Sequence, residues 1–208
     1  MNHSKTHYGR LTEGLDYLGY RIVGEDLTIK KNNVLKQEKK LEKLFSEYSY
    51  LKHSKSDLLE FQFWRINCSI TGIKLTSIED TLEKKEIIKK YGWLFYFSKI
   101  NDFRLMYRLD NLLKKFSNKY QLLPEHQKRL KKFSRSLLEI KRNRNSTYIC
   151  DVNKEFDTPE KRKNFLISKN LYSEKDVSEM DESKINNLFQ GVIFKTVREL
   201  EEDKGRES

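Results

Sequence analysis

Only two prolines and eight glycines punctuate the 208 residues, and this scarcity of chain breakers constrains the fold more than any other feature. Turn-rich β architectures need a Gly, Pro or Asn signal about every 8–12 residues, so the chain is expected to be mainly α. Twelve Phe and eleven Tyr supply bulky apolar surface for a core at this length. β structure belongs in the first thirty residues, where Thr6–Leu11, Leu15–Val23 and Leu27–Lys30 are separated by Thr12-Glu13-Gly14 and Gly24-Glu25-Asp26, the pattern of a small meander.

Helical periodicity takes over after Asn32 and Asn33, either of which can cap. Val34, Glu38, Leu41 and Phe45 mark one face of a helix ending near Tyr48. A second, capped by Ser56 and stopped at Gly72, carries Leu58, Leu59, Phe61, Phe63, Trp64 and Ile66 around much of its circumference, which makes it central to a core. Residues 73–85 read as a connector, and Glu86–Ile100 as a helix holding Tyr91, Trp93, Phe95, Tyr96 and Phe97. Asn101-Asp102 caps an amphipathic helix over Phe103–Tyr120, and Pro124 opens another with Leu130, Phe133, Leu137, Leu138 and Ile140 inward. After a polar break at Asn143–Asn153, helices are expected from Asp157-Thr158-Pro159-Glu160 to about Asn170 and from near Asp181 to a charged tail.

The net charge is +11, and its distribution says more than its total. Residues 1–150 hold 31 basic and 17 acidic side chains, residues 151–208 hold 11 and 14, and the segment 104–144 alone holds 13 and 3. A polyanion is the implied partner and its site is expected before residue 151. Arg104, Arg108, Lys114, Lys115 and Lys119 occupy the polar positions of the Phe103–Tyr120 helix, where the alternatives are a phosphate-contacting face and a solvated one. Trp64, Trp93, Phe95 and Phe97 could stack on unpaired bases, but their apolar company favours the core.

Cys68 and Cys150 lack a C-x-x-C spacing and no signal peptide precedes them, so buried thiols in a reducing cytoplasm are expected. The longest wholly apolar run, about Trp93–Phe97, is far short of the roughly 20 residues of a membrane span. His3, His7, His53 and His126 do not pair at metal-ligand spacing. Neither a P-loop nor a dinucleotide fingerprint is present, and no Ser-His-Asp pattern is evident.

One constellation stands out. Asn2-His3-Ser4-Lys5-Thr6 followed by Gly14-Leu15-Asp16-Tyr17-Leu18-Gly19-Tyr20-Arg21-Ile22 resembles the palm end of bacterial reverse transcriptases, an x-x-S-K-T block and then a G-x-D-[FY]-L-G-[YF]-x-I hairpin. Tyr91-Gly92-Trp93-Leu94-Phe95-Tyr96-Phe97 and Asn101-Asp102-Phe103-Arg104-Leu105 look like the stretch that opens the helical thumb of the same family. The tail, with Tyr148-Ile149, Phe156 and Phe194–Leu200, is more similar to defence-associated, antiviral members than to group II intron enzymes. The second polymerase of the two-polymerase type 3 system is the nearest likeness.

The resemblance implies a division into a palm-end hairpin at 1–31, a helical thumb at 32–145 and a helical extension at 146–208. It implies that Tyr17, Leu18, Gly19 and Tyr20 form a primer grip whose glycine lets backbone approach the primer. Lys5 becomes a phosphate-approaching lysine, and Arg104, Arg108, Lys114, Lys115 and Lys119 a face along an RNA/DNA template–primer. The parent activity is RNA-directed DNA synthesis with Mg²⁺ held by palm aspartates, one in a [YF]-x-D-D turn. This chain has no Asp-Asp dipeptide, so no catalytic residue and no bound cofactor are expected in it. With Met1 abutting a mid-palm motif, the expectation is the carboxy-terminal part of a longer or split enzyme whose fingers and palm, or another reverse transcriptase, are its partner. The alternatives are a free-standing RNA-binding or scaffold protein derived from such a thumb, and a helical adaptor whose charge only aids solubility.

Overall fold

A computed structural model of the chain describes residues 11–52, 56–78, 86–142, 147–169 and 172–201. It is mainly α, with a β-meander at the start of the described chain and helices after it. The meander comprises β1 (Leu15–Tyr17), β2 (Tyr20–Val23) and β3 (Asp26–Ile29), antiparallel in that order. The expected single strand over Leu15–Val23 is therefore two, because Leu18 and Gly19 both take positive φ and turn the chain back on itself. Of the expected strand Thr6–Leu11, all but Leu11 lies outside the described residues; Leu11 begins a 3-10 turn over Leu11–Glu13.

Helix α1 (Lys31–Leu51) buries Val34, Leu41, Leu44, Phe45 and Tyr48. It starts one residue before the expected caps: Lys30 holds the N-cap position without a side-chain bond. Asn33 is already helical, and its amide donates instead to the Gly19 carbonyl (3.3 Å). Helix α2 (Ser56–Thr71) ends at Gly72 as expected and is buried on two sides. Leu59, Phe63, Ile66 and Ile70 face one apolar core, while Phe61 and Cys68 face a second, the three- and four-residue spacings placing the two sets on opposite faces.

The stretch between Gly72 and Ile100 corrects the sequence reading. The connector holds β4 (Ile73–Ile78), and the expected helix over Glu86–Ile100 is β5 (Glu86–Tyr91) followed by the single turn α3 (Trp93–Tyr96). β4 and β5 pair antiparallel from Ile73↔Tyr91 to Ile78↔Glu86. Ile73, Thr76, Ile78, Ile87 and Ile88 are β-branched and so stiff at χ1, which favours a pleated strand; the aromatic cluster that follows masked this signal. A short strand, β6 (Cys150–Asp151), lies parallel on the other side of β4. The polar break at 143–153 thus contains a third sheet strand, recruited from some seventy residues away.

Helix α4 (Phe103–Lys119) is capped by Asp102, whose side chain accepts from the N–H groups of Arg104 and Leu105. The helix expected from Pro124 onward is divided into α5 (Pro124–Arg129) and α6 (Phe133–Lys141). Three successive backbone N–H groups explain the break: Lys131 donates to Asn67 Oδ1 (2.9 Å), Lys132 to the Tyr148 hydroxyl (2.7 Å) and Phe133 to Asp110 Oδ1 (2.6 Å). Long-range side chains capture the donors that a continuous helix would spend on its own carbonyls. Leu138, expected inward, is 37% exposed because its neighbour Leu137 takes the buried face and adjacent helical residues point in different directions. Asp110, which also accepts from Ser134 N and Oγ, caps α6 from another helix. Asp110→Ala should therefore cost about 1–2 kcal/mol and lower the melting temperature by several degrees. An unchanged melting curve would remove Asp110 from that role.

The chain finishes with α7 (Val152–Glu155), α8 (Pro159–Ser168), α9 (Glu174–Ser178) and α10 (Glu182–Glu201). α9 has no counterpart in the apolar periodicity of the sequence; Ser173 and Asp176 start it with a reciprocal capping box of the S-x-x-D type. The first core joins α1, one face of α2, α3, α4 and α6; the second joins the other face of α2 to β4, β6, α8 and α10. Cys68 and Cys150 are buried free thiols of the second core, and burial, with Cys150 alongside, pushes the Cys68 thiol well up.

Candidate nucleic-acid interface

The β1–β2 hairpin is a two-residue turn with Tyr17 opposite Tyr20, the geometry that needs positive φ at both central residues. Leu18 supplies φ 46° and Gly19 φ 81°. A Cβ on Gly19 would lie 2.6 Å from Asn33 Nδ2 and 3.2 Å from the Phe97 ring, so the close approach this glycine permits here is to α1 and to the residue ending α3. Its carbonyl accepts from Lys30 N (2.9 Å) as well as from Asn33. Tyr20 points the same way. Its hydroxyl donates to the Tyr96 carbonyl (2.6 Å) and its ring meets Phe97 edge-on at 5.2 Å; burial raises its pKa. The Tyr96 hydroxyl in turn donates to the Leu18 carbonyl (3.1 Å). Tyr17 and Leu18, each 63% exposed, are left projecting from a rigidly backed turn.

The same body carries the start of α4. Asn101 exchanges backbone and side-chain bonds with Leu27 (Asn101 N to Leu27 O, 3.0 Å; Leu27 N to Asn101 Oδ1, 2.8 Å) and donates to the Glu25 carbonyl (2.9 Å). Thr28 Oγ1 donates to Asp102 Oδ2 (3.0 Å). The asparagine and aspartate that the sequence offers as helix caps thus also fasten the meander to α4.

All five cationic residues expected on α4 are exposed, but their electrostatic states differ. Arg104 lies 3.5 Å from Asp26 and from Asp102, Arg108 3.4 Å from Glu38, and Lys119 2.7 Å from Glu42. The Lys119 hydrogen bond holds the Glu42 carboxyl below its usual range and raises Lys119. Lys114 and Lys115 have no ion pair among the described residues. Lys5 lies outside the described residues. Trp93 and Phe97 are in the core, Trp64 and Phe95 half-buried.

Charge counting found the basic run but not its division in space. Lys131 and Lys132 share a hollow of about 320 Å³ with Lys114, Asp110 and Asn118 of α4. They also border a larger cleft of about 910 Å³ beside α2 and α8. The broken α5–α6 helix redirects these lysines, and no periodicity signal could have shown it. Among the described residues no group of three or more His, Cys, Asp or Glu is placed to hold a metal ion, and no helix is long and apolar enough to cross a membrane. Comparisons with protein-family models, with curated proteins and with solved structures find no match.

Proposed function

We propose that this chain grips a nucleic-acid duplex, and that it does so as the palm-end and thumb part of a bacterial reverse transcriptase of the antiviral kind, with the metal-binding palm supplied elsewhere. The observation that supports this reading is that the meander carrying the exposed Tyr17–Leu18 tip is fastened at β3 and the β2–β3 turn to the head of the cationic helix α4 through Asn101 and Asp102. A rigid turn beside a basic helix can hold one strand by contact and track phosphates along the other, with affinity and little sequence choice. Lys114 and Lys115, whose charges are not neutralised within the described chain, are the residues with most to offer a phosphate. Arg104, Arg108 and Lys119 would first have to exchange a carboxylate partner.

That neutralisation favours a second reading, a free-standing RNA-binding or scaffold protein that has kept the thumb shape. Mixing the chain with a complementary fingers–palm fragment separates the two: recovered DNA synthesis on an RNA template supports the split enzyme, and binding without synthesis the scaffold. For the interface itself, replacing both Lys114 and Lys115 by Gln should reduce the slope of log affinity against log salt by about 2 for an RNA/DNA hybrid. Lys119→Gln should change it less, since that cation is already paired. Equal effects, or an unchanged slope, would place the duplex elsewhere.

A further inference from the structure

A cleft of about 910 Å³ lies between α2, the α5–α6 link and α7–α8, and it gathers more positive than negative charge. Its walls carry Lys128, Arg129, Lys131, Lys132, Arg135 and Lys161 against only two carboxylates, Glu60 and Glu155. Both carboxylates already have hydrogen-bond partners. Glu60 is held by His126 (2.6 Å) and by both terminal nitrogens of Arg129 (3.2 Å each). Glu155 accepts from the Trp64 indole N–H (2.7 Å) and from Asp151 N (3.1 Å); burial raises its pKa and the Lys131 charge partly opposes that. Lys161 is paired with Asp157.

Two of the remaining cations, Lys131 and Arg135, meet at one ring. Lys131 Nζ lies 4.6 Å and the Arg135 guanidinium 4.2 Å from the centre of Tyr148, and the Tyr148 hydroxyl is the acceptor that fixes Lys132 N. Two like charges brought to one aromatic ring repel each other, and a cation–π contact of about 0.5–1 kcal/mol offsets little of that at an accessible site. An anion arriving between them removes the repulsion. The cleft floor is apolar and aromatic: the half-buried rings of Trp64 and Phe156, with Phe165 edge-on to each at 5.5 and 4.6 Å. Trp64 and Phe156 stand edge-on to one another at 5.9 Å, so a base lies against one ring at a time; aromatic surface beside a wall rich in cations matches a ligand that is part phosphate and part planar base, and the cleft volume is ample for it.

We propose that this cleft binds an unpaired nucleotide, its phosphate between Lys131, Lys132 and Arg135 and its base against the Trp64–Phe156 floor, as part of a single strand. The site does not depend on the duplex reading. It lies off the exposed face of α4 and includes neither Lys115 nor the hairpin. Lys131 and Lys132 also border the hollow that holds Lys114, so a strand leaving α4 has a continuous cationic route into it.

The full chain should bind a labelled single-stranded oligothymidylate of about ten nucleotides and quench tryptophan emission on binding. Trp93 is 3% exposed in the other core, so the quench reports Trp64. Trp64→Phe should keep the affinity and lose the quench, because the phenyl ring still stacks. The double variant Lys131→Glu/Arg135→Glu should lose at least about tenfold in affinity, two phosphate contacts having been reversed. Lys128→Glu, an exposed rim change that disturbs no described contact, should lower affinity in the same direction and covers the case in which the double variant does not fold. Thymidine 5′-monophosphate as competitor identifies the source: weak competition assigns the site to a strand, and competition equal to the oligonucleotide's assigns it to a free nucleotide of the same chemistry. Lys115→Glu should weaken hybrid binding and leave oligothymidylate binding intact, which keeps the two interfaces separable. Absence of binding, binding by the parent chain without a change in emission, or affinity unchanged in folded Lys131→Glu/Arg135→Glu or in Lys128→Glu would each overturn the proposal.

Discussion

Gly92→Ala should lower the melting temperature by roughly 10 °C or more, as expected of a loss of about 4 kcal/mol in a chain of this size. Gly92 joins β5 to α3 with φ 116° and ψ 163°, backbone that is essentially reserved for glycine and costs another residue about 1–3 kcal/mol. A Cβ there would also lie 2.8 Å from the Cα of Gly72, which is main chain and cannot rotate away. Gly72 is held in its turn: a Cβ on it would meet the Tyr91 carbonyl at 2.5 Å and the Phe95 ring at 2.6 Å. The end of α2 and the β5–α3 corner are therefore packed glycine against glycine. The Gly92 N–H donates to Glu201 Oε1 (2.8 Å), which ties the same corner to the end of α10. Gly191→Ala supplies the control. It is a helical glycine with nothing within 4 Å of its added Cβ, and the substitution should stabilise by about 0.5–1 kcal/mol. Melting temperatures for Gly92→Ala within two or three degrees of the parent would show that the corner relaxes freely and that the packing argument is wrong.

His126→Ala is expected to be nearly as damaging, at about 3 kcal/mol or more. The imidazole is 1% exposed and lies flat on Phe63, 4.2 Å between centroids and 4° between planes. Its Nδ1 is 2.6 Å from the Tyr48 hydroxyl and its Nε2 2.6 Å from Glu60 Oε1, so it links α1, α2 and α5 through one ring. Truncation leaves a cavity and strips the Tyr48 hydroxyl of a partner, although that hydroxyl still accepts from Leu123 N (3.3 Å). Tyr48→Phe should cost less, about 1–2 kcal/mol, by orphaning the Leu123 N–H and one ring nitrogen. The double variant should lose less than the sum, because both changes break one network. Strict additivity would mean that the three groups do not act together.

Acid should act on the same network. Burial alone would raise the Glu60 carboxyl, but the hydrogen bonds from His126 and Arg129 outweigh it and hold the group below its usual range. A carboxyl lowered by folding contributes stability that is complete above its ordinary pKa and is lost as the pH falls through the lowered one. Since half of the Glu60 side chain is exposed, solvent screens this term and keeps it small. Glu60→Gln should flatten the acid limb of the stability profile below about pH 4.5 and leave the neutral region nearly level. A parent and variant with parallel acid limbs would assign that limb to other carboxylates.

His126 also illustrates a limit of sequence reading. On the sequence it is one of four scattered histidines with no ligand spacing. Nothing in its neighbours announces that it is a structural hub, because Tyr48 and Glu60 stand 78 and 66 residues away. The hairpin is an intermediate case. The residue pattern reads Leu15–Val23 as one strand and only the resemblance implies a hairpin there; the turn at Leu18-Gly19 and its anchoring by Tyr96 and Asn33 are supplied by the fold.

What the amino-acid order determined by itself follows from interactions of short range. The scarcity of Pro and Gly, the three- and four-residue apolar spacing of α1, α2, α4 and α10, the Asp102 and Thr158 caps and the stop at Gly72 are all decided within a turn or two of helix. So is the crowding of positive charge into 104–144. Tertiary structure decided the rest. β5 is a strand because β4 satisfies its backbone and Gly92 ends it, even though its aromatic neighbours read as helix. α5 and α6 are separate because Asn67, Tyr148 and Asp110 take three consecutive N–H groups. That break brings Lys131 and Arg135 to Tyr148. Net charge is a sum over residues and can be counted along the chain, but which cations are balanced and which are left for a ligand depends on where distant carboxylates fall.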